Sequence, residues 1–91
     1  MVKILIPTPL RQYVGDASTV EAAGATVGEV LQALIAQHDA MRRHLLDDAG
    51  EIRSFVNVYL NDEDIRHLDR SQTVIAAGDV LSIVPSVAGG N

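Results

Sequence analysis

Two adjacent glycines near the end of the sequence, Gly89-Gly90 with Asn91 after them, carry the clearest chemical hint in these 91 residues. Glycine loses more backbone freedom on ordering than any other residue, so a terminal pair adds nothing to a core and is expected to stay mobile. The same residues suit entry into another protein's narrow active site, where a β-carbon would meet the walls. A frayed, inert end is the alternative. Other chemistry-bearing residues are weaker candidates. His38, His44 and His67 have no ligand spacing on a common face, so solvated imidazoles are the expected reading. Asp62-Glu63-Asp64 lacks the glycine and distal glutamate of a calcium loop and reads as a solvated turn. Arg42-Arg43 could meet a phosphate or an acidic partner, although an exposed helix end accounts for the pair. The serines at 18, 54, 71, 82 and 86 have no triad partners, and no glycine-rich phosphate loop is present. No catalytic apparatus is expected in the chain itself.

Composition narrows the field further. The chain has room for one hydrophobic core, and 47% hydrophobic residues suit a folded protein. Phe55, Tyr13 and Tyr59 are the only aromatics, which leaves the core to Val, Ile, Leu and Ala. The absence of cysteine excludes disulfides, thiolate nucleophiles and Cys-type metal sites. A net charge of −5, with Lys3 the sole lysine, argues against nucleic-acid binding and favours partners with basic or mixed surfaces. No apolar run approaches the roughly 20 residues of a membrane span, and Met1-Val2-Lys3 leads into a strand, not a signal peptide. A cytoplasmic protein without membrane contact is expected.

Local patterns give the elements that must position the glycines. Val2, Ile4 and Ile6 alternate as a strand stopped by Pro7 and Pro9, and Leu10 to Asp16 reads as a loop. Ser18 to Ala23 is a second strand, broken by Gly24. Thr26-Val27-Gly28-Glu29 has the capping-box pattern, and Val27, Val30, Leu31, Leu34 and Ile35 follow at helical spacing to about His38. Met41 to Leu46 forms a further turn or short helix. Phe55 to Leu60 is a strand with Val56, Val58 and Leu60 on one face. A polar turn at Asn61 to Asp64 leads to a short edge strand at Ile65 to Leu68, and Val80 to Val84 closes the chain's apolar pattern. One amphipathic helix covering one mixed sheet is the economical solution, with the first and last strands paired centrally. The expected fold is α+β, a ubiquitin-like β-grasp with a mixed four- to five-stranded sheet packed against one main helix. It covers residues 1–85, and residues 86–91 form a flexible C-terminal tail.

A domain of this size with Gly78-Asp79, an apolar strand, Pro85-Ser86-Val87-Ala88 and then Gly89-Gly90 resembles the MoaD/ThiS family of sulfur carriers along essentially its whole length. Phe55 to Asp64 and Val84 to Gly90 are most similar to the branch that supplies sulfur for cysteine synthesis. The resemblance implies a carboxylate cycle at Gly90, with Val87, Ala88 and Gly89 threading into the partner. An E1-like adenylating enzyme with sulfurtransferase partner chemistry activates the carboxylate with ATP, which the partner binds. A sulfur donor then displaces AMP and leaves a thiocarboxylate, an ionised nucleophile that needs no neighbouring base. The acceptor enzyme is expected to be a PLP-dependent cysteine synthase, with molybdopterin or thiamine synthesis as alternatives. Asn91 departs from the family pattern. It ties the Gly90 carboxyl into a peptide bond, so a zinc peptidase of the JAMM type is expected to remove it. A ubiquitin-like modifier joined to lysines through the same glycine remains open beside the carrier.

Overall fold

The helix at the centre of the fold begins where its capping chemistry dictates. Thr26 is extended (φ −131°, ψ 164°), and its Oγ1 accepts from the Glu29 amide at 3.3 Å. The Glu29 carboxylate reaches back one residue further than the usual box and accepts from the Ala25 N–H at 2.8 Å. Helix α1 (Val27–Gln37) then presents Val27, Val30, Leu31, Leu34 and Ile35 to the interior, each at most 2% exposed. Gly24 lets the preceding loop approach this first turn. A β-carbon there would lie 2.7 Å from the Val30 nitrogen, closer than any side chain tolerates.

The computed structural model describes residues 1–85; the expected tail, with Val87, Ala88, Gly89, Gly90 and Asn91, lies outside the described residues. Strands β1 (Val2–Leu5), β2 (Thr19–Ala22), β3 (Val56–Leu60), β4 (Glu63–Asp64) and β5 (Val80–Pro85) form one sheet in the order β2-β1-β5-β3-β4. The pair β1·β5 is parallel and the other three pairs are antiparallel, so the sheet is mixed and its centre joins the first and last strands. β2 and β3 consequently run the same way, and α1 crosses over the sheet between them. Alternation does the rest: Val2, Ile4, Val56, Val58, Leu81 and Ile83 are buried beneath the helix. This is the β-grasp arrangement expected from the pattern.

Three segments differ from expectation. The edge strand is Glu63–Asp64, not Ile65 to Leu68: Asn61, at φ +57°, turns the chain so sharply that Glu63 already pairs with Leu60 and Asp64 with Tyr59. Ile65–His67 is instead a 3₁₀ turn, because Asp64 accepts from the Arg66 amide at 2.9 Å and caps it. Leu10 to Asp16 is not an open loop either, since Thr8–Val14 winds into a 3₁₀ helix that buries Leu10 and Val14. After α1, a 3₁₀ turn at Asp39–Met41 leads into α2 (Arg42–Leu45), the short helix that was anticipated there.

Candidate functional site

The chain reaches its last residues along β5, and the ladder on both sides of that strand fixes its course. The Asn61 amide donates to the Val80 carbonyl at 2.7 Å, while the Asn61 Oδ1 accepts from the Val80 amide at 3.1 Å. Its Nδ2 also donates to Asp79 at 3.3 Å, and the other Asp79 oxygen accepts from the Ala76 amide. The turn at Gly78-Asp79 therefore delivers β5 in a defined register. Antiparallel pairs alternate between bonded and non-bonded, so with Asn61 and Val80 bonded, Asn57↔Val84 is a bonded pair and Val56↔Pro85 is not. Pro85 thus occupies a position where no ladder donor is required. It is the last described residue before the segment that holds the diglycine.

The face of the sheet away from α1 carries an apolar patch beside this exit. Leu5, Ser82 and Tyr59 form one row across β1, β5 and β3, and Val84 stands two residues further along β5. Leu5 is 39% exposed, Val84 45% and Phe55, just before β3, 44%. The Arg53 guanidinium lies 5.9 Å from the centre of the Phe55 ring. Burial of such side chains by a partner is favourable, whereas nothing in the described fold covers them.

The outer edge of β3 is held differently. Arg66 Nη2 donates to the Ser54 carbonyl at 3.1 Å, the Val56 carbonyl at 3.2 Å and the Asn57 Oδ1 at 2.6 Å. Arg53 and Arg66 also line a groove of about 740 Å³ between the start of α1 and the segments before β3 and after β4. Leu31, Ile52 and Val56 contribute apolar lining to it, and Gly28 meets Ser71 there, where a β-carbon would sit 3.1 Å from the Ser71 carbonyl oxygen. Sequence reasoning missed Arg66. An acidic cap two residues before it marks the turn, but no local pattern points to the β3 edge.

The other residues considered from sequence are dispersed. His38 caps α1, His67 ends the 3₁₀ turn after β4, and His44 lies in α2 with its ring stacked on Tyr13 at 4.3 Å. Among the described residues no three His, Asp or Glu side chains gather as a metal would require. The His44 Nε2 is shielded from solvent and has no hydrogen-bond partner. Desolvation by burial, then the charges of Arg43 and Arg53, hold its pKa below the ordinary value near 6.5. Arg42 and Arg43 are exposed on α2, Asp62 is exposed in the hairpin turn and Glu63 is exposed on β4. No helix among the described residues is long and apolar enough to cross a membrane.

The ThiS family model matches residues 4–90, from the first strand through the second glycine. The chain belongs to the ThiS family. This ThiS-family chain is 42% identical to the sulfur carrier protein CysO of Mycobacterium tuberculosis over 98% of both chains. The crystal structure of the Amycolatopsis orientalis BexX/CysO complex contains a chain that superposes with a TM-score of 0.90 at 39% identity, covering 99% of this chain and 100% of that one. The family member is also 44% identical to small archaeal modifier protein 3 of Haloferax volcanii, over 72% of this chain and 71% of that protein.

Proposed function

We propose that this protein is a sulfur carrier, a cosubstrate of partner enzymes and not itself a catalyst. The observation that carries the reading is the reach of the family match, which runs through Gly90 and leaves out only Asn91 at that end. Removal of Asn91 by a JAMM-type zinc peptidase frees the Gly90 carboxylate. That carboxylate attacks the ATP α-phosphate on an E1-like enzyme, pyrophosphate leaves, and the acyl adenylate forms. A sulfur donor attacks the acyl carbon and AMP departs, leaving the thiocarboxylate. Its sulfur is polarisable and ionised at neutral pH, so it attacks an electrophile without help from a base. Full-length similarity to CysO favours cysteine synthesis on a PLP-dependent synthase as the destination. The exposed patch of Leu5, Val84 and Phe55 suits docking of the body while Val87, Ala88 and Gly89 are threaded, all within a cytoplasmic setting.

ATP–pyrophosphate exchange on two chain lengths tests the reading. The chain ending at Gly90 is expected to exchange with its activating enzyme and the chain ending at Asn91 to be inert. Reacting groups must approach to about 3–3.5 Å, so one added residue is a large displacement. Gly90→Ala in the shorter chain is expected to fold normally and be activated poorly. Exchange by neither length removes the carrier reading. Similarity to small archaeal modifier protein 3 supports a second reading, conjugation to lysines through the same glycine. Branched peptides on target lysines in cell extracts, without sulfur on the free chain, would favour it.

A further inference from the structure

We propose that Arg66 is a positioning residue for the transfer end, an inference that rests on the carrier reading above: its guanidinium holds the corner of the sheet at which β5 ends. Among the described residues β4 pairs with Tyr59 and Leu60, and no described strand faces the outer edge of β3 at Val56. Arg66 fills that gap. One nitrogen, with two hydrogens, serves the Ser54 and Val56 carbonyls and the Asn57 side-chain oxygen, so one hydrogen is shared between acceptors. The inner edge of the same segment pairs Asn57 with Val84 and Val56 with Pro85. The guanidinium and the end of β5 therefore grip one short stretch of backbone from opposite sides. Bonds from a charged donor are stronger than neutral ones, and three acceptors converging on one nitrogen restrict where the edge can lie. Because Arg66 is itself exposed, its grip adds little to overall stability and acts on this corner of the sheet.

Backbone amide exchange followed by NMR reads the grip directly. Arg66→Ala is expected to speed exchange at the Asn57 and Val84 amides about tenfold and leave Leu34 in α1 unchanged, as local opening does. Arg66→Lys, which keeps a charged donor nitrogen on a shorter stem, is expected to recover part of the protection. In ATP–pyrophosphate exchange, Arg66→Ala in the chain ending at Gly90 is expected to lower kcat about tenfold through misdirected approach. The half-saturating carrier concentration should stay within about twofold, since body docking is retained. Unchanged amide exchange at Asn57 and Val84 overturns the positioning role, and so does a raised half-saturating carrier concentration with kcat unchanged. A parent chain that exchanges no pyrophosphate counts against the carrier reading instead, and the amide measurement alone then decides for or against Arg66.

Discussion

One face of the sheet is sealed and the other is open, although the same strands supply both. Beneath α1, Ile4 and Leu81 are wholly buried and Val58 and Ile83 are 2% exposed. On the opposite side Leu5 and Val84, their immediate neighbours in sequence, are 39% and 45% exposed. Strand alternation makes the two faces independent, so residues on the first can be selected for packing and those on the second for contact with a partner. Side chains of similar hydrophobicity consequently do different things, and their substitution should separate stability from function.

The largest effect is expected at the sealed face. Leu31→Ala removes a side chain that is 2% exposed in the centre of α1 and should cost about 2–5 kcal/mol in urea unfolding. A loss under about 0.5 kcal/mol, the range of neutral surface changes, would show that the helix face is not the main support of the sheet. Gly24→Ala comes next. Its β-carbon would press on the Val30 backbone at 2.7 Å, and overpacking of this kind costs about 1–3 kcal/mol. Equal stability of this variant would mean that the loop before α1 yields freely.

His44 gives a smaller, pH-dependent contribution at the margin of the sealed side. Its pKa is lowered in the folded chain, so the unfolded state takes up a proton first as pH falls below about 6.5. Stability should therefore be full above that value and decline through the acid range below it. His44→Phe keeps the stacking on Tyr13 and removes the proton site, so it should flatten this decline in thermal unfolding at pH 5 and 7.5. An unaltered slope would exclude His44 as its source. The open face is expected to show the smallest stability change: Val84→Ser should stay within about 0.5 kcal/mol of the parent. Its effect should appear in pyrophosphate exchange, as a higher half-saturating carrier concentration. A large stability loss with unchanged exchange would reverse the assignment of the two faces.

The interior face of α1 was legible in sequence because its causes are local. Thr26 and Glu29 satisfy nearby amides, and five apolar residues recur at the period of the helix. Strands β1, β2, β3 and β5 were legible for the same reason, as was the central pairing of first and last strands once a single helix had to cover the sheet. The 3₁₀ helix at Thr8–Val14 escaped notice because it is too short to show a period, and only the burial of Leu10 and Val14 reveals its purpose. β4 was misplaced by two residues because its position depends on Asn61 adopting φ +57°, a conformation that Asn tolerates and no pattern announces.

The sequence alone determined the helix face, its cap, the strand alternation and the diglycine that pointed to family membership, all of which arise from neighbours along the chain. Tertiary structure decided what distant residues do for one another. It set Pro85 at an unbonded position opposite Val56, gathered Leu5, Val84 and Phe55 beside the exit, and brought Arg66 to the bare edge of β3. These depend on register and on the length of a two-residue strand. A shift of one residue would turn every side chain to the other face and leave the guanidinium without its acceptors.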